Sequence, residues 1–361
     1  MSNMREDLKA LIKELAEIYD PESRDYYISL YLGKYKEKNN LLDQRQKACQ
    51  SVLTGHELHN FLKTIEDIKQ FLKKNINDNV ALFASHKHKF LRTIVLPVHI
   101  DNLLVVDSSP YLRPLARIHD EWESFTLVLI SQNYAKIFSI SLGKVEHETT
   151  LSADIMNKHK KGGWSQARFQ RLRKGAINSF FSEIENALHK ITDKKIVLAG
   201  PGIAKLRFRD RLAREVQNNI VGIIDINING EHKLLKEAIH LIAKREERAS
   251  CEAVQHLKSE ILKDGLAVYG VKETLKAAEN GQVEILILEK DYKLHGWICE
   301  NCQRVDIGDK KQCPHCGNKT STVDVIEEIL EFAERTNSEI EFTDKEDIAQ
   351  LGHIGALLRF K

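Results

Sequence analysis

Four of the six cysteines have the residue type and the spacing of metal ligands. They form two Cys-x-x-Cys pairs with ten residues between them: Cys299, Cys302, Cys313 and Cys316. Each pair can direct two thiolates at one tetrahedral ion, and Pro314 and Gly317 favour a tight turn in the second pair. The spacing predicts a zinc ribbon over about residues 297–320, with a structural Zn²⁺ bound by the four sulfurs. Free thiols and an iron centre are the alternatives.

The stretch KHKKGGWSQARFQRLRK, Lys158 to Lys174, could bind a polyanion. It holds seven Lys or Arg residues and no acid, in a chain whose 54 basic residues nearly balance 52 acids. Two adjacent glycines allow close backbone approach, and the N-terminus of the following helix adds unpaired N–H groups. We predict nucleic-acid contacts from the basic side chains Lys158, Lys160, Lys161, Arg168, Arg171 and Lys174. The alternative is a solvated helix face beside an ordinary turn.

The residues after the glycines have helical periodicity. The apolar residues recur at steps of three and four and form one stripe: Phe169, Leu172, Ala176, Phe180, Ile184, Ala187 and Ile191. Arg171 and Lys174 lie opposite this stripe, and Arg168 lies on its flank. Further along, Gly200 and Gly202 in GPGIAKLRFRDRL are predicted to turn the chain, with phosphate contacts from Arg207 and Arg209 as a weaker alternative.

The 361 residues are enough for two or three domains. Strands alternate with helices, which indicates α/β sandwich domains, and the changes of pattern predict boundaries at 1–118, 119–229 and 230–361. In the middle domain, FTLVLIS and AKIFSIS are predicted to form a hairpin that turns at Gln132 and Asn133. In the last domain, the cysteine module is inserted after the strand VEILILE.

Composition and motifs exclude several classes. No apolar run is long enough to span a bilayer, and the charged N-terminal helix has no secretory signal, so we expect a cytoplasmic protein without a membrane partner. We find no convincing P-loop, acid pair or Ser-His-Asp arrangement. Any GTP-driven step would therefore need a separate GTPase.

The middle and last domains resemble the class-1 peptide-chain release factors of archaea and eukaryotes. GGWSQARFQRLR is similar to their GGQSxxRFxRLR loop and helix, YGVKETLKAAENGQVEILIL to the start of their third domain, and LGHIGALLRF to its end, which pelota shares. The cysteine pairs stand where archaeal members carry a zinc ribbon. SSPYLRPLARIHDEWESFTLVLIS is similar to a bacterial branch of release-factor-like proteins, and the likeness covers about residues 119–361.

This resemblance implies a three-domain α/β protein that places its loop in the ribosomal peptidyl-transferase centre. The partners would be ribosomal RNA and peptidyl-tRNA, with a translational GTPase as a further candidate and no DNA. The implied reaction is hydrolysis of the peptidyl-tRNA ester, and the implied catalytic loop residues are Gly162, Gly163, Trp164 and Gln166. The alternative is a non-catalytic factor that occupies the ribosome during hibernation or surveillance.

Two departures from the family pattern bear on function. The N-terminal domain has neither the Asn-Ile-Lys-Ser nor the Tyr-x-Cys-x-x-x-Phe motif with which release factors read stop codons, and NNLLDQRQKACQSVL occupies the comparable helix. Trp164 stands where the family has its catalytic glutamine, and Gln166 follows two residues later. We therefore expect a rescue-like activity on stalled ribosomes without stop-codon decoding.

Overall fold

The structure, a computed structural model, describes residues 4–20, 26–33, 38–73, 79–155, 164–191, 195–226, 231–344 and 346–361. For residues 38–41, 164–166 and 231–232 only the backbone is described. The chain divides into two compact units. One contains Trp122–Glu246, and the other combines Met4–Glu121 with Glu247–Lys361. Among the described helices, none is long and apolar enough to cross a membrane.

The N-terminal segment is an antiparallel sheet with helices. Its elements are α1 (Met4–Ala16), β1 (Tyr27–Leu32), α2 (Lys38–Val52), α3 (Gly55–Leu72), β2 (Asn79–Ser85), β3 (Phe90–Leu96), β4 (Leu103–Asp107) and α4 (Arg113–Glu121). The strand order is β3-β2-β1-β4. Because side chains alternate along a strand, Ile28, Leu30 and Leu32 share one face, where they pack with Phe61 and Ile65 of α3.

The unit Trp122–Glu246 is a three-layer α/β sandwich. Its elements are β5 (Phe125–Ile130), β6 (Tyr134–Ser141), β7 (Lys144–Ser152), α5 (Trp164–Leu188), β8 (Ile196–Gly200), α6 (Ala204–Arg209), α7 (Arg214–Asn218), β9 (Ile220–Asp225) and the first half of α8 (Glu231–Leu262). The sheet order is β7-β6-β5-β8-β9, with β5, β8 and β9 parallel. Helix α5 covers one face, through Phe180 and Ile184, and α8 covers the other, through Leu234 and Ala238.

The C-terminal segment is a second α/β layer into which a small sheet is inserted. It contains β10 (Ala267–Tyr269), α9 (Val271–Glu279), β11 (Val283–Glu289), β12 (His295–Cys299), β13 (Val305–Ile307), β14 (Thr320–Asp324), α10 (Val325–Arg335), β15 (Glu339–Thr343), α11 (Glu346–Gln350) and β16 (Ile354–Leu358). The main sheet has the order β10-β16-β11-β15, and the inserted sheet has the order β13-β12-β14.

The predicted α/β class and the predicted hairpin are confirmed. Strands β5 and β6 pair antiparallel from Phe125–Ile140 to Ile130–Ala135, so the chain turns at Gln132 and Asn133. Strand β7 was not predicted, because its sequence, KVEHETTLS, is polar. It forms the edge of the sheet and most of its side chains are exposed, so no apolar alternation marks it.

Candidate metal centre and nucleic-acid interface

The inserted sheet brings the four predicted metal ligands together. The sulfur atoms of Cys299, Cys302, Cys313 and Cys316 all lie within 4.8 Å of one another. The Sγ–Sγ distance is 3.3 Å from Cys299 to Cys316 and 3.6 Å from Cys302 to Cys313. Four thiolates at about 2.3 Å from a tetrahedral Zn²⁺ would be about 3.8 Å apart. The donor set and its spacing therefore fit one metal ion with no open coordination position.

Local backbone geometry places the sulfurs. Two amide groups, those of Asn301 and Cys302, point at the sulfur of Cys299, with N–Sγ distances of 3.5 and 3.4 Å. The second knuckle turns at Gly317, whose φ of +74° is in the region that favours glycine, as the sequence predicted. A backbone hydrogen bond at Asn318, followed by the neighbouring Cys299, lowers the pKa of the Cys316 thiol to about 6. A backbone hydrogen bond at Arg304 lowers the pKa of the Cys302 thiol, but burial and the neighbouring sulfurs raise it to about 12, so the thiols of this cluster are shifted in both directions.

The core of the ribbon is small. Trp297 is buried together with Cys299 and Cys313, and no other residue belongs to this cluster among the described part of the chain. A core of one aromatic side chain and two sulfurs removes little apolar surface from water. A metal bound here would thus be a structural element of this segment, because a closed four-sulfur site leaves no position for a substrate.

The glycine loop itself lies outside the described residues, which include neither Gly162 nor Gly163 nor the lysines at 158, 160 and 161. Helix α5 begins directly after it at Trp164, and Gln166 is in its first turn. The side chains of Trp164 and Gln166 also lie outside the described residues. The long helix predicted to follow the glycines is confirmed.

The predicted apolar stripe of α5 is only partly buried. Phe180 and Ile184 are in the core, together with Ile177, Phe181 and Leu188, which the stripe did not include. Phe169 and Leu172 are 40% and 52% exposed, so the stripe is not buried along its whole length. The periodicity continues toward the loop, but the core surrounding α5 begins only at Ile177. The first three turns of α5 therefore present a mixed apolar and basic surface.

Three predicted nucleic-acid contacts lie on this surface. Arg168, Arg171 and Lys174 are exposed, and the first acid of α5 is Glu183. Positive charge near the N-terminal end of a helix adds to the positive end of the helix dipole, so the field is strongest beside the loop. Arg173 behaves differently: it is half-buried and donates a hydrogen bond to Gln132 in the β5–β6 turn. This anchor attaches the helix to the sheet and was not predicted.

The GPG turn is held by a buried lysine that no sequence motif indicated. The ammonium group of Lys205, 2% exposed, donates to the carbonyl oxygens of Gly200 and Gly202 at 2.8 Å each and pairs with Asp225. Gly200 has φ +139°, and a Cβ there would lie 2.0 Å from the carbonyl oxygen of Ile130. The prediction that these glycines turn the chain agrees with this geometry.

One residue of α5 gives a direct test of the helix. Gly175 is exposed, and a Cβ built on it meets no atom within 4 Å. Gly175→Ala should raise the free energy of unfolding by about 0.5–1 kcal/mol, because alanine loses less backbone entropy in a helix. Urea unfolding measures the change, and Ala167→Gly, at an exposed position of the same helix, should shift it the opposite way. A destabilising Gly175→Ala would contradict an exposed regular helix at this position.

Two family models match the chain. Residues 110–246 match the family described as "Bacterial archaeo-eukaryotic release factor family 10", and residues 231–361 match "eRF1 domain 3". The peptide chain release factor subunit 1 of Pyrococcus abyssi is 28% identical, and the alignment covers 98% of both chains. That of Thermococcus kodakarensis is 27% identical and covers both chains fully.

Fold and site thus define a release-factor-like translation factor. The two matched segments together span residues 110–361, and the relatives' alignments cover nearly the whole chain, which supports placing the protein with the archaeal and eukaryotic release factors. Among solved structures, an archaeal pelota from Archaeoglobus fulgidus is similar over 79% of this chain, with 17% identity and a TM-score of 0.37.

Proposed function

We propose that the protein enters the ribosome and promotes hydrolysis of peptidyl-tRNA on stalled ribosomes without decoding a stop codon. The observation that carries this proposal is the start of α5. There Arg168, Arg171 and Lys174 project from a helix whose first turns the core does not cover, directly after the glycine pair. RNA phosphates are the chemical partner that such a surface fits.

The chemistry requires a water molecule to attack the ester carbonyl carbon. The bond to the ribose oxygen then breaks, and that oxygen takes a proton. A loop contributes to this reaction by positioning the water and by stabilising the oxyanion with N–H groups. Gly162 and Gly163 would let the backbone approach the ester. Gln166 would supply a side chain that can both donate to and accept from water, which the indole of Trp164 cannot.

The relatives support the class of reaction. They are peptide chain release factors by name, and the match to them extends over the whole length of this chain. The N-terminal helix α2 holds the segment NNLLDQRQKACQSVL without the stop-codon motifs, which supports action independent of the codon. A translational GTPase is proposed as a delivery partner, since the sequence has no nucleotide-binding motif.

The second candidate is a factor that occupies the ribosome without releasing the peptide. The observation that favours it is Trp164, an aromatic side chain that can stack on a base, in the position of the family's glutamine.

A single-turnover release assay separates hydrolysis from occupancy. Ribosomes carrying peptidyl-tRNA and a stop, sense or empty A site are mixed with excess protein. Release without preference for a stop codon supports the proposal. Tight binding without release supports occupancy.

Charge reversal on α5 tests the binding of RNA. The triple variant Arg168→Glu, Arg171→Glu and Lys174→Glu should leave ribosomes in sedimentation, since it replaces three attractive charges by repulsive ones. For each phosphate that the variant no longer neutralises, the slope of log affinity against log salt should become shallower by roughly 0.7–0.9.

A matched control reverses three basic residues elsewhere on the same unit's surface: Lys144, Lys190 and Arg214. These side chains are exposed but lie away from the start of α5 in the sequence. The control variant should sediment with ribosomes as the wild type does. If both variants bind equally well at raised salt, the basic surface of α5 is only a solvated helix face.

A further inference from the structure

Helix α10 has four buried glutamates. Glu327, Glu328, Glu331 and Glu334 are only 7%, 8%, 1% and 9% exposed. The helix packs on one side against the C-terminal sheet and α9, and on the other against α1 and the segment that follows β4. The carboxyl groups therefore lie between the N-terminal and C-terminal segments of one compact unit. Buried carboxyl groups are costly unless they are paired or protonated, so their partners decide what this interface does.

Glu327 binds the start of α4. Its Oε1 accepts hydrogen bonds from the backbone N–H groups of Leu112, at 2.6 Å, and of Arg113, at 3.2 Å. The guanidinium of Arg113 is itself buried and donates to Asp324 at 3.0 Å and to the carbonyl oxygen of Tyr292 at 2.8 Å. One arginine from the N-terminal segment thus joins three groups of the C-terminal segment.

Glu331 makes a second connection one turn further along α10. It accepts a hydrogen bond of 2.7 Å from the hydroxyl of Ser109, and both side chains are buried. Its other oxygen pairs with Arg335 at 2.9 Å, and Arg335 also donates to the carbonyl oxygen of Ala16 at the end of α1. The four segments α1, β4–α4, β14 and α10 are therefore tied through a common buried cluster.

Acids outnumber bases in this cluster. The acidic groups are Asp107 from β4, Asp324 from the end of β14, and Glu327, Glu328, Glu331 and Glu334 from α10. The basic groups facing them are Arg113 from α4, Arg335 from α10 and Lys9 from α1. The charged side chains of α9, which packs beside α10, are exposed: Lys272, Glu273, Lys276 and Glu279. Two phenols, Tyr31 and Tyr111, complete the cluster, and both have a raised pKa because of burial and Glu327.

This excess of acidic groups favours the protonated form of the buried carboxyl groups. Burial, and then the neighbouring Asp107, raise the pKa of Glu328 to about 8. Burial also raises the pKa of Glu334 to about 7, against the opposing effect of Lys9. Burial, and then Glu328, raise the pKa of Glu331 well above its usual range. Each of these carboxyl groups would return to its ordinary pKa in water if the two segments separated.

We propose that the buried carboxyl groups of α10 form a proton-dependent latch that holds the N-terminal segment on the C-terminal segment. The geometry that supports it is the shared cluster of Arg113, Ser109 and the glutamates. When the latch is closed, Glu327 and Glu331 accept hydrogen bonds from Leu112 and Ser109, and the buried carboxyl groups of Glu328 and Glu334 carry protons. When their protons are lost, excess negative charge remains in a dry interface and drives the segments apart. The latch is independent of the activity proposed for the glycine loop.

The sign of the pH dependence follows from the raised pKa values. The closed state binds more protons than the open state, so closure is fully favoured below the ordinary glutamate pKa. It weakens as pH rises from about 4.5 toward about 8, the pKa of Glu328 in the closed state. Within that window, each additional proton bound by the closed state changes the opening equilibrium about tenfold per pH unit.

Hydrogen–deuterium exchange of the full-length protein tests the latch. Protection is measured at pH 6, 7, 8 and 9 and corrected for the intrinsic exchange rate at each pH. For wild type, protection of residues 108–113 and of α10 should fall at least about tenfold from pH 6 to pH 9. Protection of β2 and β11, which lie in the two sheets, should change little. Protection of α10 that is constant across this range would overturn the proposal without any variant.

The double variant Glu328→Gln and Glu334→Gln identifies the groups that bind the protons. Glutamine has the shape of a protonated glutamate and no charge to lose, so the variant should keep its protection at pH 9. The control is Glu339→Gln on β15, where the side chain is exposed; it should behave as wild type. A double variant that is native at pH 6 but still loses protection at pH 9 would show that other groups open the interface.

Discussion

Protein purified with zinc should carry close to one equivalent of metal, and the variant Cys299→Ser with Cys313→Ser should carry none. Both cysteines are buried, and together with Trp297 they are the core of the ribbon. Structural zinc contributes about 10–16 kcal/mol of apparent binding free energy in small domains, which is more than so small a core can supply. Without metal, strands β12, β13 and β14 should therefore unfold locally.

Elemental analysis and hydrogen exchange measure the two effects. Protection in residues 295–324 should be lost in the variant, and a chelator should lower the melting temperature of the wild type. The matched control is Cys49→Ser with Cys251→Ser, because these cysteines are remote from the four-sulfur cluster in the described chain. Wild-type protein with no metal, or a ribbon that stays protected in the metal-free variant, would contradict a structural metal.

The absorption spectrum identifies the ion. A tetrahedral site of four thiolates is typical of Zn²⁺ and of iron–sulfur proteins, but Zn²⁺ has a filled d shell and no visible colour. We expect a colourless protein. Visible absorption that disappears in the double serine variant would assign iron instead. The distances between the sulfurs do not distinguish the two ions, which is why the spectrum matters.

The four-sulfur cluster was predictable because its determinants are local. Two Cys-x-x-Cys turns position their own sulfurs, so spacing along the chain specified the cluster before any fold was known. The turn at Gly317 was predictable for the same reason. Local periodicity likewise predicted the β5–β6 hairpin and the long helix α5.

Long-range packing was not predictable. The apolar period of α5 includes Phe169 and Leu172, but only the tertiary structure determines that the core ends near Ile177. For helix α10, sequence reasoning errs in the opposite direction, because residues that look exposed are buried. Its glutamates suggest an exposed face, but the N-terminal segment covers that face through contacts such as Ser109 with Glu331. The burial of Lys205 was also not predictable, because its carboxylate partner Asp225 lies on a strand twenty residues further along the chain.

Substitutions in the glycine loop should separate hydrolysis from ribosome binding. Gly163→Ala adds a methyl group at a point that, in the proposed reaction, comes within hydrogen-bond reach of the ester. A displacement of about 1 Å can cost about 100-fold in rate, so the single-turnover release rate should fall by at least that factor. Binding should stay nearly constant, since Arg168, Arg171 and Lys174, the proposed phosphate contacts, are unchanged.

Two further substitutions assign roles to the side chains beside the glycines. Gln166→Ala should lower the release rate if Gln166 replaces the family's glutamine, whereas Gln170→Ala, an exposed position one turn later on α5, should have no effect. Trp164→Ala should mainly weaken binding, since it removes stacking worth about 1–3 kcal/mol per base.

A different set of results would identify an occupancy factor. In that case wild type binds tightly and releases no peptide, Gly163→Ala changes nothing, and Trp164→Ala loses protection of the ribosome. Release by wild type that survives Gly163→Ala would instead place the reacting group outside this loop.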